Sequence, residues 1–399
     1  MSLPTTFFIG RGGAGELPDL FAPSTRFFVS NENNGNDQYV LLSCSSVGGI
    51  SLNSGISSSI GDVDKIISAP MSSTRVIYAA GYQPRFQVIN APSSGSLSIP
   101  ATKSSAFNSS VQTFAVCGTG NFNQFVFFEV GTSNTTVDLY NVNNAWPNAR
   151  STTTTGIPAA SSLVGAANAS SALKMAGQNK IAFSHYNKVK FFNFSTALET
   201  VSQYGSILTL SDFSAYGWAT LCYTSDPNIM VHVSYDGLSY RQSATVQFTF
   251  IDVSDANGPV KLGTDTVTGV ETPSVTNEND MHSPWAQYVG GNCIAAADQD
   301  RLHIYKLNLK NYTVENSQQS YSYSGGYDTS NSISCVWGNE GVVAVIGNEV
   351  GDSARMKIET FGFDKSTGNF TQATNLGGYT QNLVSNFYHS STATLYDLP

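Results

Sequence analysis

The residues Cys293 to Leu309, CIAAADQDRLHIYKLNL, constrain this chain more than any other stretch. An apolar run meets a polar turn at Asp298 to Arg301. A second run follows, in which Leu302, Ile304, Tyr305 and Leu307 alternate with His303 and Lys306. The same two-run pattern recurs as RVIYAAGYQPRFQVINA (Arg75 to Ala91), TFAVCGTGNFNQFVFFEV (Thr113 to Val130) and KIAFSHYNKVKFFNF (Lys180 to Phe194). It returns with a shorter turn from Tyr39 to Asn53 and a longer one from Val342 to Phe363. Period-2 alternation of β-branched and aromatic residues between turn formers marks strands with one face buried. The chain therefore reads as a series of β-hairpins.

At 399 residues the chain exceeds the roughly 250 to 300 at which a single hydrophobic core stops growing. Its composition is even from end to end, with no proline-rich linker or charge run, which favours repeats packed on their neighbours over separate domains. Where no insertion intervenes, successive hairpins lie roughly 36 to 50 residues apart, the spacing of propeller blades. Residues 1–399 are thus expected to form one domain, an all-β propeller of seven blades, or eight, closed by strands from both chain ends. Closure would use Phe7 to Ile9 and the strand-like run Leu383 to Leu398, removing the sheet edge that would otherwise invite aggregation.

The expected blades run from Arg26 to Ile60, Val63 to Ala101, Phe107 to Val142, Leu173 to Tyr204, Trp218 to Thr264, Trp285 to Ser317 and Ile333 to Thr374. Thr136 to Tyr140 is expected as the outer strand of the third, and Phe370 to Thr374 as that of the seventh. The Ser, Thr, Ala and Asn-rich stretch from about 143 to 172 has weak periodicity and reads as a long surface insertion. That insertion and a loop from Asp265 to Ser283 are the expected places for partner contacts, since recognition concentrates on loops held by a rigid scaffold.

The Cys293 hairpin resembles the central strands of a WD-type propeller blade, with Asp300 at the turn aspartate and Tyr305-Lys306 where that family has Trp-Asp. The resemblance implies a propeller architecture over the whole chain. Ser234 to Tyr240, SYDGLSY, resembles the Asp-box turn of sialidase-like propellers but lacks a residue between aspartate and glycine. In that family the box is a structural turn, so it implies no catalysis here.

Only 12% of residues are charged, against roughly 25% in an average soluble domain, and Ser, Thr, Asn and Gly fill the deficit. Such surfaces suit exposed β-proteins of virions and cell surfaces. The net charge of −9, with 19 Lys and Arg, leaves no basic stripe for phosphates and disfavours nucleic acid and anionic membranes. No run approaches the roughly 18 apolar residues of a spanning helix, so membrane insertion is not expected. The opening MSLPTTFFIGRGG has neither a basic region nor a long apolar one, so no secretory signal is expected.

No residue set identifies a chemistry, and neither a catalytic group, a metal site nor a cofactor is expected. Gly10 to Gly15 formally contains G-x-G-x-x-G, but Pro18 and Pro23 leave no room for the helix that a dinucleotide site needs. The five cysteines (44, 117, 222, 293 and 335) have no CxxC spacing and read as buried free thiols. His185 is placed in a hairpin turn, His232 and His303 on strand faces, and His282 and His389 elsewhere, without ligand spacing.

Among the carboxylate pairs, Asp62/Asp64 and Asp252/Asp255 read as turn residues flanking strands, and Asp298/Asp300 fall in the polar turn of the Cys293 hairpin. Glu278 and Asp280, in the polar loop TNENDMHSPW, are the candidate carboxylates. Tyr321, Tyr323 and Tyr327, in SYSYSGGYDTS, are the candidate platforms for sugars or protein contacts. The expectation is a non-enzymatic structural or interaction protein, a virion decoration or appendage component whose partners are other virion or surface proteins. The alternatives are a carbohydrate-binding propeller facing the cell exterior, with glycans as ligands, and a glycoside hydrolase or lyase with its site in the central channel. The last requires carboxylates converging at one mouth of the ring.

Overall fold

The computed structural model describes residues 25–395 except 34–35, 61–65, 81–84, 104–110, 132–134, 143–150, 158–169, 176–177, 186, 212–218, 237–242, 272–284, 298–300, 323–334, 340, 350–351, 372–375 and 383–388. Its described strands assemble into seven four-stranded antiparallel sheets. The first contains β1 (Arg26–Asn33), β2 (Asn36–Cys44) and β3 (Ile50–Ser58); the second contains β4 (Ile66–Ser72), β5 (Arg75–Ala80), β6 (Arg85–Asn90) and β7 (Ser98–Lys103). The third holds β8 (Val111–Gly118), β9 (Gln124–Gly131), β10 (Thr135–Asn141) and β11 (Ser151–Thr154). In the fourth are β12 (Ser170–Lys174), β13 (Lys180–His185), β14 (Lys188–Ser195) and β15 (Thr200–Thr209). The fifth comprises β16 (Ala219–Cys222), β17 (Ile229–Asp236), β18 (Ser243–Asp252) and β19 (Val260–Glu271). The sixth comprises β20 (Ala286–Gly290), β21 (Cys293–Ala297), β22 (Arg301–Asn308) and β23 (Thr313–Ser322). The seventh comprises β24 (Cys335–Asn339), β25 (Val342–Glu349), β26 (Asp352–Gly362) and β27 (Gly377–Asn382).

The remaining strand, β28 (His389–Thr394), completes the first sheet by pairing antiparallel with β1, from Phe27 opposite Thr394 to Glu32 opposite His389. The inner strands pack in the cycle β28, β4, β8, β12, β16, β20, β24 and back to β28. The molecule is a closed β-propeller, and its ring is fastened by one C-terminal strand joined to three N-terminal ones. Phe7 to Ile9, expected to share in the closure, lie outside the described residues.

Burial explains why the hairpins recur. Both faces of the central strands are covered, as in the unbroken buried run of β5 and that of β21, because each sheet packs against a neighbour on either side. One apolar cluster fills each junction. Phe28, Tyr39, Leu41, Val76 and Tyr78 lie between the first and second sheets, and Phe27, Val40, Ala344 and Ile358 between the seventh and first. The outer strands are polar and partly exposed, as in β3 and β15, which is where the Ser, Thr and Asn content resides. At about 25 cal/mol per Å2 of apolar surface, seven such junctions give the ring its stability.

Four expectations are corrected. Thr136 to Tyr140 belong to β10, the third strand of their sheet. The outer strand is β11, whose Ser151 to Thr154 pair with Leu139 to Thr136 inside the stretch taken as a surface insertion. Four consecutive Ser and Thr residues carry no apolar period, so sequence pattern missed them. The stretch taken as a loop from Asp265 begins as strand, since β19 continues to Glu271. The outer strand of the seventh sheet is β27; Phe370 instead forms a single bridge with Phe363.

Candidate functional site

Because all inner strands run the same way, the ring has two unlike ends. At one, the turns join first to second and third to fourth strands of each sheet, and every junction is bridged there by hydrogen bonds. Arg26 donates to the carbonyls of Ser73 at 3.0 Å and Pro92 at 2.8 Å, tying the first sheet to the second. Arg75, at the matching position one sheet on, donates to the Phe122 carbonyl at 3.0 Å and Asn123 Oδ1 at 2.7 Å, with its guanidinium 3.4 Å from the Phe122 ring centroid. Gln124, again the first residue of a second strand, donates to the Thr196 carbonyl at 2.9 Å. The remaining junctions use Ser206 N–H to Asn257 O at 2.8 Å, Ser225 N–H to Asn292 Oδ1 at 3.2 Å, Lys306 Nζ to Lys365 O at 2.7 Å and Thr360 Oγ1 to Gly48 O at 2.7 Å. Gly205, with φ of 66°, allows the Asn257 contact: a Cβ there would stand 2.5 Å from the Asn257 carbonyl oxygen. Burial lowers the pKa of Arg75 without depriving it of acceptors.

At the opposite end, the outer strand of each sheet hands over to the inner strand of the next. β15 ends here at Thr209, β19 at Glu271 and β23 at Ser322. Here Asp37 is buried at 1% exposure between the first and second sheets. Its Oδ1 accepts from Tyr78 Oη at 2.7 Å and its Oδ2 from the Ile60 N–H at 3.0 Å. Tyr39 Oη donates to Gln87 Oε1, Gln87 Nε2 to Ser58 Oγ at 2.6 Å, and the Arg85 guanidinium to the Ile60 carbonyl. Burial pushes the Asp37 carboxyl up to about 6, against the two hydrogen bonds that pull it down.

Tyr321 lies in strand β23, opposite Leu302, rather than in the loop expected for it. Tyr323, Tyr327, Glu278 and Asp280 fall outside the described residues, as do Asp62, Asp64, Asp298, Asp300 and the glycines 10 to 15. Asp252 closes strand β18 and Asp255 lies in the connection that follows: Asp252 Oδ1 accepts the Ser254 N–H at 2.7 Å, and Asp255 Oδ1 the Asn257 N–H at 2.6 Å. His185 closes strand β13 instead of lying in the turn, fully buried with Nδ1 2.6 Å from Ser170 Oγ. His232 and His303 are fully buried on strands. Among the described residues no three His, Cys, Asp or Glu side chains come together in a way that could hold a metal ion.

Of the WD-like pair, Tyr305 is buried with its ring 4.8 Å from that of Phe248 in the fifth sheet, and Lys306 is one of the junction ties. Cys44, Cys117, Cys222 and Cys293 are buried free thiols, and burial pushes the pKa of Cys44 and Cys117 up to about 12. No Asp or Glu occurs on any of the seven inner strands. No described helix is long and apolar enough to cross a membrane.

Sequence reasoning did not single out Arg26, Arg75 or Asp37. The first two carried a legible signal: RFFV, RVIY and QFVF each open a second strand with a long polar donor. Asp37 had none, since its burial depends on how the first sheet meets the second.

No family model and no curated protein matches the chain. Solved structures do. A functionally unknown protein of Desulfotomaculum acetoxidans aligns with a TM-score of 0.53 at 13% identity, over 91% of this chain and 99% of its own. A candidate 6-phosphogluconolactonase of Bacteroides uniformis aligns with a TM-score of 0.54 at 10% identity, over 89% and 99%. The C-terminal WD40 domain of Sif2 gives 0.48 at 9% identity, over 86% and 94%. At these identities the likeness concerns the fold alone.

Proposed function

We propose that this protein is a non-enzymatic interaction scaffold that engages protein partners at the end of the ring where one sheet passes to the next. The observation that carries this reading is the difference between the two ends. One is occupied by turns tied from sheet to sheet around the full circle. The other is where β15, β19 and β23 finish before longer connections. A rigid base with connections at its opposite end is the general layout of recognition on β-scaffolds. The inner strands, bare of Asp and Glu, offer no acid or base pair along their length for glycoside chemistry.

The finer reading is a component of an exposed assembly, a virion decoration or appendage protein in contact with other virion or surface proteins. Its support is compositional: a surface held in water by hydroxyls and amides, with 12% charged residues. Mass spectrometry of particles purified from the source tests it. A fixed copy number per particle is the expected result, and recovery of the chain only as free protein would overturn it.

A further inference from the structure

The tie between the fourth and fifth sheets is built on an Asn-Gly pair, and that pair carries a chemistry of its own. Asn257 and Gly258 lie in the connection from β18 to β19. The Asn257 carbonyl accepts the Ser206 N–H at 2.8 Å and the Ser206 hydroxyl at 3.2 Å, which fixes the connection to β15. The two backbones touch. A Cβ at Gly205 would stand 2.5 Å from the Gly258 Cα, and one at Gly258, whose φ is +122°, would stand 2.8 Å from the Ser206 nitrogen. Both the dihedral angle and the close approach therefore demand glycine at position 258.

The same glycine exposes Asn257 to attack by its own backbone. With no side chain at position 258, nothing crowds the approach of the Gly258 nitrogen to the Asn257 Cγ, the contact that closes a five-membered ring. The Asn257 side chain is exposed and has no hydrogen-bond partner among the described residues, so it is free to turn toward that nitrogen. The Gly258 N–H donates to the Asp255 carbonyl at 3.3 Å, beyond the usual range of about 2.7 to 3.2 Å, so the nucleophile is only loosely held. Asn311 and Asn369 are exposed as well, but Tyr312 and Phe370 follow them and hinder the same closure.

We propose that Asn257 is a site of spontaneous backbone modification, converted to isoaspartate by ring closure onto Gly258 and hydrolysis, and that the conversion undoes the tie to Ser206. In the first step the bond from the Gly258 nitrogen to Asn257 Cγ forms and the bond from Cγ to Nδ2 breaks. The proton of the Gly258 N–H leaves with the amide as ammonia. Water then opens the succinimide. Breaking the new bond to Cγ gives aspartate, whereas breaking the bond to the main-chain carbonyl carbon gives isoaspartate, whose backbone runs through Cγ and is one methylene longer. Nothing is oxidised or reduced, and water is the only co-reactant. The contact with Gly205 and Ser206 has no room for that methylene. Either product also sets a new carboxylate beside Asp255, whose Oδ1 accepts the Asn257 N–H at 2.6 Å.

Ageing the full chain at neutral pH and physiological temperature tests this, with peptide-resolved mass spectrometry to distinguish isoaspartate from aspartate and hydrogen exchange to follow the Ser206 amide. Isoaspartate should accumulate at Asn257 ahead of Asn311 and Asn369, and the Ser206 amide should lose protection in proportion to the isoaspartyl fraction. Asn257→Gln, whose longer side chain would have to close a six-membered ring, should show neither change. An Asn257 that stays intact in the native chain while the chain unfolded in guanidinium converts would overturn the proposal, because the turn would then shield it. A Ser206 amide that remains protected in the isoaspartyl chain would overturn it equally.

Discussion

Arg26 and Arg75 occupy the same place in consecutive sheets, the first residue of the second strand, and each reaches over the junction to backbone carbonyls of the following sheet. The relationship gives two successive junctions of the ring the same tie, foreshadowed in the sequence by the long polar donor that opens RFFV and RVIY. Each guanidinium is charged and partly buried, so its hydrogen bonds belong to the stronger class, about 1.5 to 3 kcal/mol. Arg75→Ala should lower unfolding stability by about 2 to 3 kcal/mol in denaturant titration. Arg75→Lys should recover only part of that, because one ammonium cannot serve Asn90, Phe122 and Asn123 together.

Gly118 ends β8 with an ordinary φ, yet a Cβ there would lie 2.0 Å from the Pro70 carbonyl oxygen of the neighbouring inner strand. Gly269 has φ of +79° and nothing within 4 Å. Gly118→Ala should therefore cost more than Gly269→Ala, about 2 to 3 kcal/mol against about 1, the first from overlap and the second from backbone strain. Equilibrium unfolding of the two variants makes the comparison.

How much of this was legible in the sequence depends on what each residue answers to. The hairpins were readable because Phe, Val, Ile and Tyr alternate against turn formers: the copies at Arg75, Lys180, Cys293 and Val342 are the second and third strands of their sheets, whereas the copy at Thr113 is the first and second strands of the third sheet and that at Tyr39 the third and outer strands of the first. The outer strands were not. β11 is Ser-Thr-Thr-Thr, and β27 is Gly-Gly-Tyr-Thr-Gln-Asn. Such strands are held by backbone pairing to a neighbour and need no apolar face, so they leave no period to read. Tyr321 was grouped with Tyr323 and Tyr327 for the same reason, since Gln-Gln-Ser-Tyr-Ser looks like loop until it is paired with β22. Asp37 answers to contacts made across a junction between sheets, which no local pattern encodes.

The C-terminal strand is the fastener. A chain ending at residue 388 lacks β28 and so exposes Phe28 and Val29 along an unpaired β1 edge. It should lose cooperative unfolding and bind a hydrophobic dye at neutral pH, whereas the full chain should do neither. Supplying His389 to Leu395 as a peptide in excess should restore part of the lost stability.

Burial should also make four thiols inert in the native ring. Cys44, Cys117, Cys222 and Cys293 are buried away from reagents, and in the first three desolvation disfavours the thiolate that alkylation requires. Peptide-resolved mass spectrometry after brief iodoacetamide treatment at pH 8 should find these four unmodified. All four should be alkylated once the protein is unfolded in guanidinium.

The most direct measurement for the scaffold reading is a cryo-EM map of the assembly in which the source organism holds this chain. Partner density against the end where β15, β19 and β23 finish, with the clasped end of Arg26, Arg75 and Lys306 turned away, is the predicted result. A partner seated on the clasped end would contradict it, as would a chain found alone with a small substrate in its central channel.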